Sequence, residues 1–373
     1  MRKMRKLTVL LLVLLLALSA ALAETPPDGE RDLGFAMLDS LYVEGQNRII
    51  SPASAQYALS MAALGAKGDT LAELLAALGA ASTDDLTAQA AEGISCANIA
   101  FVAPQIALNA DYEAALRDRC GAEIDAIDDE IVARANDWVR EKTNGLIDGI
   151  LNEQPSADTG LILMNAIAMD EEWALPFKAS DTQQASFMAA SGEVPVDMMC
   201  QTNSFLYWEA GGAQIIRLPY AQDGLEMWIA MPQTGDMRKL LDALVLQGVD
   251  GLRSGAKECR VALMLPKMDI SDTNSLNEAL SAFGVNAAFG DSADFSGISS
   301  TPMYISKIEQ KARVQLDEDG TRAAAVTSSI MAAALVREEE TPVEMTVNRP
   351  FAFVICDETT AYFVGVVENP QPD

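Results

Sequence analysis

The sequence predicts an α+β fold, with helices gathered in its first half and strands in its second. Apolar residues make up 50% of the 373 positions and recur along the whole chain, enough for a large core. Helical spacing and helix-start residues dominate up to about residue 150, whereas period-2 and continuous apolar runs dominate from residue 161 onward. No long Pro-, Gly- or Ser-rich linker and no internal repeat interrupts the chain, so residues 24–373 read as one domain.

The first 23 residues stand apart. Arg2, Lys3, Arg5 and Lys6 precede an apolar run from Leu7 to Leu18 and the small-residue site Ala21-Leu22-Ala23. That pattern predicts a cleaved export signal rather than a membrane anchor, and therefore a secreted, extracellular protein. No Cys follows the cleavage site, which argues against a lipoprotein.

RDLGFAMLDSLY spaces Leu33, Met37 and Leu41 on one helical face, and in SPASAQYALSMAAL Ser51 offers a cap with Pro52 at the first helical position. Thr70-Leu71-Ala72-Glu73 has the form of a capping box, and Gly79 is placed to end that helix. NDWVREKTNGLIDGIL puts Trp138 and Val139 on an apolar side before an Asn144-Gly145 break. The expected strands are LILMNAIAM, AQIIRLPY, LEMWIAM, CRVALMLPKM, KARVQLD, VEMTV and the pair FAFVI and AYFVGVV. LILMNAIAM is apolar on both faces except at Asn165, so it reads as a central strand whose buried amide needs partners. A satisfied core Asn and a functional one are equally consistent with that reading.

Composition narrows the chemistry. The formal charge is −28, and losing the four basic residues of the leader makes the remainder more acidic still. Such a field repels nucleic acid and anionic membranes, and neither is expected as a partner. No histidine occurs, which removes Ser-His-Asp and Cys-His catalysis, His-ligated zinc and the usual near-neutral general base together. Paired carboxylates could serve a glycosidase, but only 6% of residues are aromatic and a solvated acidic surface explains them. Asp317-Glu318-Asp319-Gly320 begins like a calcium loop, yet its sixth position is Arg322 where an EF-hand needs Gly. No cofactor or metal is expected, nor an enzyme. Cys96, Cys120, Cys200, Cys259 and Cys356 are scattered and odd in number, reading as free small hydrophobes more readily than as bridges. The absence of an N-x-Ser/Thr sequon fits a bacterial secreted protein.

Several segments together resemble the serpins. Asn47 to Ser54, Leu59-Ser60-Met61 and Gly65 to Thr70 are similar to the family's segment around its second helix. Asn136-Asp137-Trp138-Val139 with Thr143 and Gly145 resembles the helix that lies across its large sheet, and Asn165-Ala166-Ile167 through Trp173 and Pro176-Phe177 its central strand and breach. Asp294 to Ile298, Tyr304 to Lys307, and Asn348-Arg349-Pro350-Phe351 through Gly365 and Asn369-Pro370 complete a series spanning nearly all of the chain in order. The resemblance implies the serpin fold with an exposed reactive-centre loop at about residues 318–341. It also implies a monomeric suicide-substrate inhibitor of a serine protease, held as a covalent acyl complex. Ser51, Ser54, Asn165, Trp173 and Gln310 become the expected controls of sheet opening. Gln310 stands where inhibitory serpins commonly carry a His, and an amide can likewise donate and accept.

DEDGTRAAAVTSSIMAAALVREEET, residues 317–341, is too long for an ordinary connection between the strands KARVQLD and VEMTV. The resemblance makes it a bait loop whose hinge comprises Glu318, Gly320, Thr321, Ala323, Ala324, Ala325 and Thr327. Strand alternation would turn Thr321, Ala323, Ala325 and Thr327 one way and Arg322 the other, leaving the inward set small and uncharged. An Ala-rich helix or a flexible tether is the bland alternative. Counting forward by the usual serpin hinge length puts the reactive bond at Ala334-Leu335, and the Ala332-Ala333-Ala334 run before it presents a small apolar side chain that suits an elastase-like or subtilisin-like protease. Arg337 is the runner-up, as bait for a trypsin-like enzyme. A serpin-fold binding or chaperone protein that traps no protease is the competing function.

Overall fold

The structure, a computed structural model, describes residues 32–86, 94–156, 159–306, 308–321 and 341–371. The leader and the loop residues Ala323, Ala324, Ala325, Thr327, Ala334, Leu335 and Arg337 lie outside the described residues.

Local chemistry sets the early helices. Asp32 caps α1 (Leu33–Leu41) by accepting from the Phe35 N–H at 3.0 Å. The short strand β1 (Arg48–Ile50) leads into α2 (Pro52–Ala63), where the Ser51 hydroxyl accepts from the Ser54 N–H at 3.1 Å. Helix α3 (Gly68–Ala77) begins before the expected capping box, with Lys67 at its cap, so Thr70 and Glu73 lie inside it. Tertiary partners have claimed their side chains. Thr70 Oγ1 accepts from the Asp294 N–H at 3.0 Å, and Glu73 Oε2 from the Asn286 and Ala287 N–H groups at 2.6 and 2.7 Å. Gly79 ends this helix as expected, in the left-handed region at φ +62°.

Strand β2 (Ile94–Val102), helix α4 (Ala110–Cys120), strand β3 (Glu123–Ala126) and helix α5 (Ile131–Lys142) follow, then β4 (Leu161–Met169) and β5 (Glu171–Glu172). β2 is central between parallel β3 and antiparallel β4. Helix α5 packs on this sheet through Ile131, Ala135, Trp138 and Val139, in a small core with Ile99, Phe101, Met164 and Ala166.

The second half builds the larger layer from β6 (Gln183–Ala189), β7 (Gly192–Ala210), β8 (Ala213–Pro219), β9 (Glu226–Pro232), β10 (Lys257–Pro266), β14 (Val343–Thr346), β15 (Phe351–Cys356) and β16 (Ala361–Val367). With β1 they form a nine-stranded sheet ordered β1-β16-β15-β9-β8-β7-β10-β14, β6 pairing with β7. β15 is wholly buried, which accounts for its continuous apolar run. Helices α6 (Met237–Arg253) and α7 (Asn277–Ala282) interrupt the strand-rich half. The remaining strands, β11 (Met268–Ser275), β12 (Glu309–Leu316) and β13 (Gly320–Thr321), form a four-stranded sheet in the order β11-β12-β13-β5.

All five cysteines are free. Burial pushes the Cys120 thiol up to about 11 and the Cys356 thiol up to about 12, leaving them poor nucleophiles.

Candidate functional site

Gly320 and Thr321 are the first loop residues after the turn that follows β12, and they already act as a strand. Thr321 pairs with Leu316 of β12 on one side and Glu171 on the other, while Gly320 pairs with Glu172. A Cβ on Gly320 would run into the Glu171 carbonyl oxygen, so only glycine admits this approach. The turn behind it is closed by the Asp317 carboxylate, which accepts from the Asp319 N–H at 3.0 Å and the Gly320 N–H at 3.3 Å.

A clasp of side chains holds this hinge. Trp173 donates its backbone N–H to Asp319 O at 2.8 Å and its indole N–H to Asp317 O at 3.1 Å. It stacks on Tyr220 at 4.5 Å between centroids, and the Tyr220 hydroxyl lies 2.6 Å from the buried Thr321 Oγ1. Glu318 takes Lys267 Nζ at 2.7 Å on one oxygen and the Thr182 hydroxyl at 2.7 Å on the other. Burial, the largest single influence, would raise the Glu318 carboxyl, but the hydrogen bonds from Lys267 and Thr182, together with a backbone hydrogen bond and the Lys267 charge, hold the group below its ordinary value.

Below β13 the sheet is parted. Among the described residues β4 and β12 share no ladder: β4 pairs with β2, and β12 with β11 and, at one residue, β13. Both strands carry amides toward the helical layer. Gln310 of β12 grips Ser51 at the start of α2, accepting from its N–H at 2.7 Å and donating to its carbonyl at 2.8 Å. Asn274, opposite Gln310 on β11, donates to Ile49 O at 3.0 Å. On the other side of the seam Asn165 of β4 faces Asn98 of β2 and donates to its Oδ1 at 2.8 Å.

The structure thus brings Ser51, Ser54 and Gln310 together and sets Trp173 at the hinge. It does not join Asn165 to Ser51 or Ser54. The Asn165 amide NH₂ is taken by Cys96 Sγ, Ala97 O and Asn98 Oδ1, groups of the adjacent strand. Its buried Oδ1 has no hydrogen-bond partner among the described residues. The sequence reading missed Tyr220, Lys267, Thr182, Asn98 and Asn274. Each acts through a partner far away in the chain, and the only local signal was position: Tyr220 and Lys267 stand near the ends of expected strands.

The profile described as "Serpin (serine protease inhibitor)" matches residues 28–370. The chain belongs to the serpin family. Among similar proteins, the serpin is 32% identical over 349 residues to "Serine protease inhibitor 42Dd" of Drosophila melanogaster, covering 87% of this chain and 92% of that one. It is 30% identical over 359 residues to an uncharacterized serpin-like protein of Thermococcus kodakarensis, covering 90% and 84%. The native state of the thermophilic serpin tengpin matches with a TM-score of 0.79 at 29% identity, covering 91% of this chain and 92% of tengpin. Cleaved Serpin 42Da shares the fold, with a TM-score of 0.78 at 24% identity and coverage of 91% and 97%. Serpins are not catalysts. As inhibitors, they present a reactive-centre loop to a serine protease, form a covalent complex with it and insert the loop into the central sheet.

Proposed function

We propose that this serpin is an exported bacterial inhibitor, acting as a monomer on an elastase-like or subtilisin-like serine protease cleaving at Ala334-Leu335. The observation that carries the inhibitory reading is the hinge: Gly320 and Thr321 are seated between β12 and β5 at the head of a seam that no described strand fills. Extending their register past Asp170 would bring loop position 327 level with Asn165 on one side and Gln310 on the other. Thr327 is small enough to fit there. A chain that only bound ligands would not need small residues at Thr321, Ala323 and Ala325.

The protease serine attacks the Ala334 carbonyl, forming an ester, and the amine of Leu335 leaves with the C-terminal fragment. Deacylation then needs water in an intact active site. Insertion of roughly a dozen residues, at ~0.5 to 1.5 kcal/mol per ladder bond, yields on the order of 10 kcal/mol to displace and deform the enzyme first. The Ala332 to Ala334 run suits a shallow apolar pocket. Arg337 would instead recruit a trypsin-like enzyme.

The test mixes the full chain with a panel of serine proteases, looking for an adduct that survives denaturing electrophoresis and sequencing the released fragment by mass spectrometry. A fragment beginning at Leu335, from an elastase-like or subtilisin-like enzyme that is also trapped, is expected. One beginning at Glu338 from a trapped trypsin-like enzyme overturns the assignment, and clean cleavage without any adduct favours a serpin-fold binder.

A further inference from the structure

A cleft of about 580 Å³ opens between the β6–β7 hairpin and the adjoining ends of β11 and β12. Two hydrogen bonds fix its walls. The Lys267 N–H donates to Asp197 O at 2.9 Å, and Gln371 Nε2 donates to Pro195 O at 2.7 Å, which sets Pro370 and Gln371 as an end wall. Val196, Met268 and Leu316, all buried, give the cleft an apolar lining. Its polar side chains come from both walls. Gln184 and Asp197 stand opposite each other in the β6–β7 ladder, so they share one face of that hairpin, and both are exposed. Asp269, Gln315 and Asp317 come from β11, β12 and the hinge turn.

The charges of this cleft do not balance. Lys267 Nζ lies 2.7 Å from Glu318, and Arg313 lies 2.8 Å from Asp269, which also takes the Gln315 amide at 2.8 Å. Asp197 and Asp317 have no ion-pair partner among the described residues. Burial would lower the Lys267 ammonium, but Glu318, Asp317 and Asp197 together hold it above its ordinary value. One ammonium thus serves three carboxylates, an excess of two negative charges beside an apolar lining. Asp317 spends Oδ1 on the Asp319 and Gly320 N–H groups, which leaves Oδ2 for a ligand.

A bare metal ion would answer the charge and leave the hydrocarbon lining unused. We propose that the cleft binds a linear aliphatic dication, a diamine or a guanidinoalkylamine, whose charged ends meet Asp197 and Asp317 and whose methylene chain lies on Met268 and Leu316. Concave sites with an apolar lining and a few placed polar groups hold small ligands in this way. The occupant ties the turn behind the hinge to β7, and by binding only the folded chain it raises the thermal midpoint. The site needs only the cleft, so it stands whether or not the chain traps a protease.

Calorimetric titration of the full chain with diaminobutane is the test. Saturable binding at one site is expected, about tenfold weaker in Asp197→Asn, which loses a charge-assisted hydrogen bond to one end of the ligand. The Asp197 side chain is exposed and only its backbone carbonyl frames the cleft, so this variant keeps the fold. Gln184→Lys, which sets a built-in cation opposite Asp197, should weaken binding to a similar degree. Asp128→Asn, at an exposed carboxylate outside the cleft that pairs with Arg134, should leave it unchanged. Aminobutane lacks the second charge and calcium lacks the hydrocarbon, and each should bind at least about tenfold more weakly than the diamine. Absence of saturable binding, equal affinity in Asp197→Asn or Gln184→Lys, or an equal loss in Asp128→Asn would overturn the proposal. So would aminobutane or calcium binding as tightly as the diamine, because one charge or charge alone would then account for the site.

Discussion

Gln310 holds Ser51 by both ends of its amide, whereas Asn165 spends only its NH₂ and leaves a buried carbonyl oxygen unpaired. Gln310→Ala strands the buried Ser51 N–H, although the Ser51 carbonyl keeps its bond from the Ala55 N–H. It should cost ~1 to 3 kcal/mol in urea unfolding. Asn165→Ala removes an oxygen that was already unsatisfied but strands the Oδ1 of the buried Asn98, so it should cost a comparable ~1 to 3 kcal/mol. A markedly larger cost for Asn165→Ala than for Gln310→Ala would show that its Oδ1 gains a partner in solution. At the hinge, Thr321 is buried with its hydroxyl 2.6 Å from that of Tyr220. Thr321→Arg places a charge in that pocket, so the chain should be cut by its target rather than retain it. An unchanged proportion of trapped protease in this variant would remove hinge insertion from the mechanism. The identities of Gln310, Asn165 and Thr321 were legible as a polar pair and a small side chain. Which pairs met was not, because Ser51 and Gln310 are 259 positions apart in sequence.

The hinge turn and β13 are held by a clasp from three other segments, so their stability should follow the charge on Glu318. Its carboxyl is held below the ordinary value of 4.5 by Lys267 and Thr182 against the opposing effect of burial. A group with a depressed folded value contributes fully above its unfolded value, and that contribution is lost as the pH falls through the folded one. Thermal midpoints of the natural chain and Glu318→Gln should therefore differ near neutrality and converge as the pH drops below about 4.5. Parallel curves down to strong acid would mean that the pair with Lys267 adds nothing. At this scale periodicity found α1, α2, α5 and β4 but misread the start of α3. Thr70 and Glu73 have the residue types of a capping box, and loops from beyond residue 285 bind them instead.

Across the whole molecule, β4 and β12 share no ladder among the described residues, and an inhibitory serpin gains stability by seating its loop between these strands. Limited cleavage within the loop should raise the thermal midpoint well above that of the intact chain, since the inserted strand adds on the order of 10 kcal/mol, comparable with the stability of an entire domain. A cleaved chain that melts with the intact one would mean that the loop stays outside.

Taken alone, the sequence determined the fold class, the absence of histidine-based catalysis and the over-long small-residue segment between two strands, because composition and periodicity are local properties of the chain. Its ordered series of motifs was enough to place it among the serpins. Only the tertiary structure decided that Gly320 and Thr321 are already seated between β12 and β5, and that Gln310 rather than Asn165 reaches Ser51. These are contacts between segments far apart in the chain, and hydrogen-bond geometry and burial specify them only once the strands have taken their order.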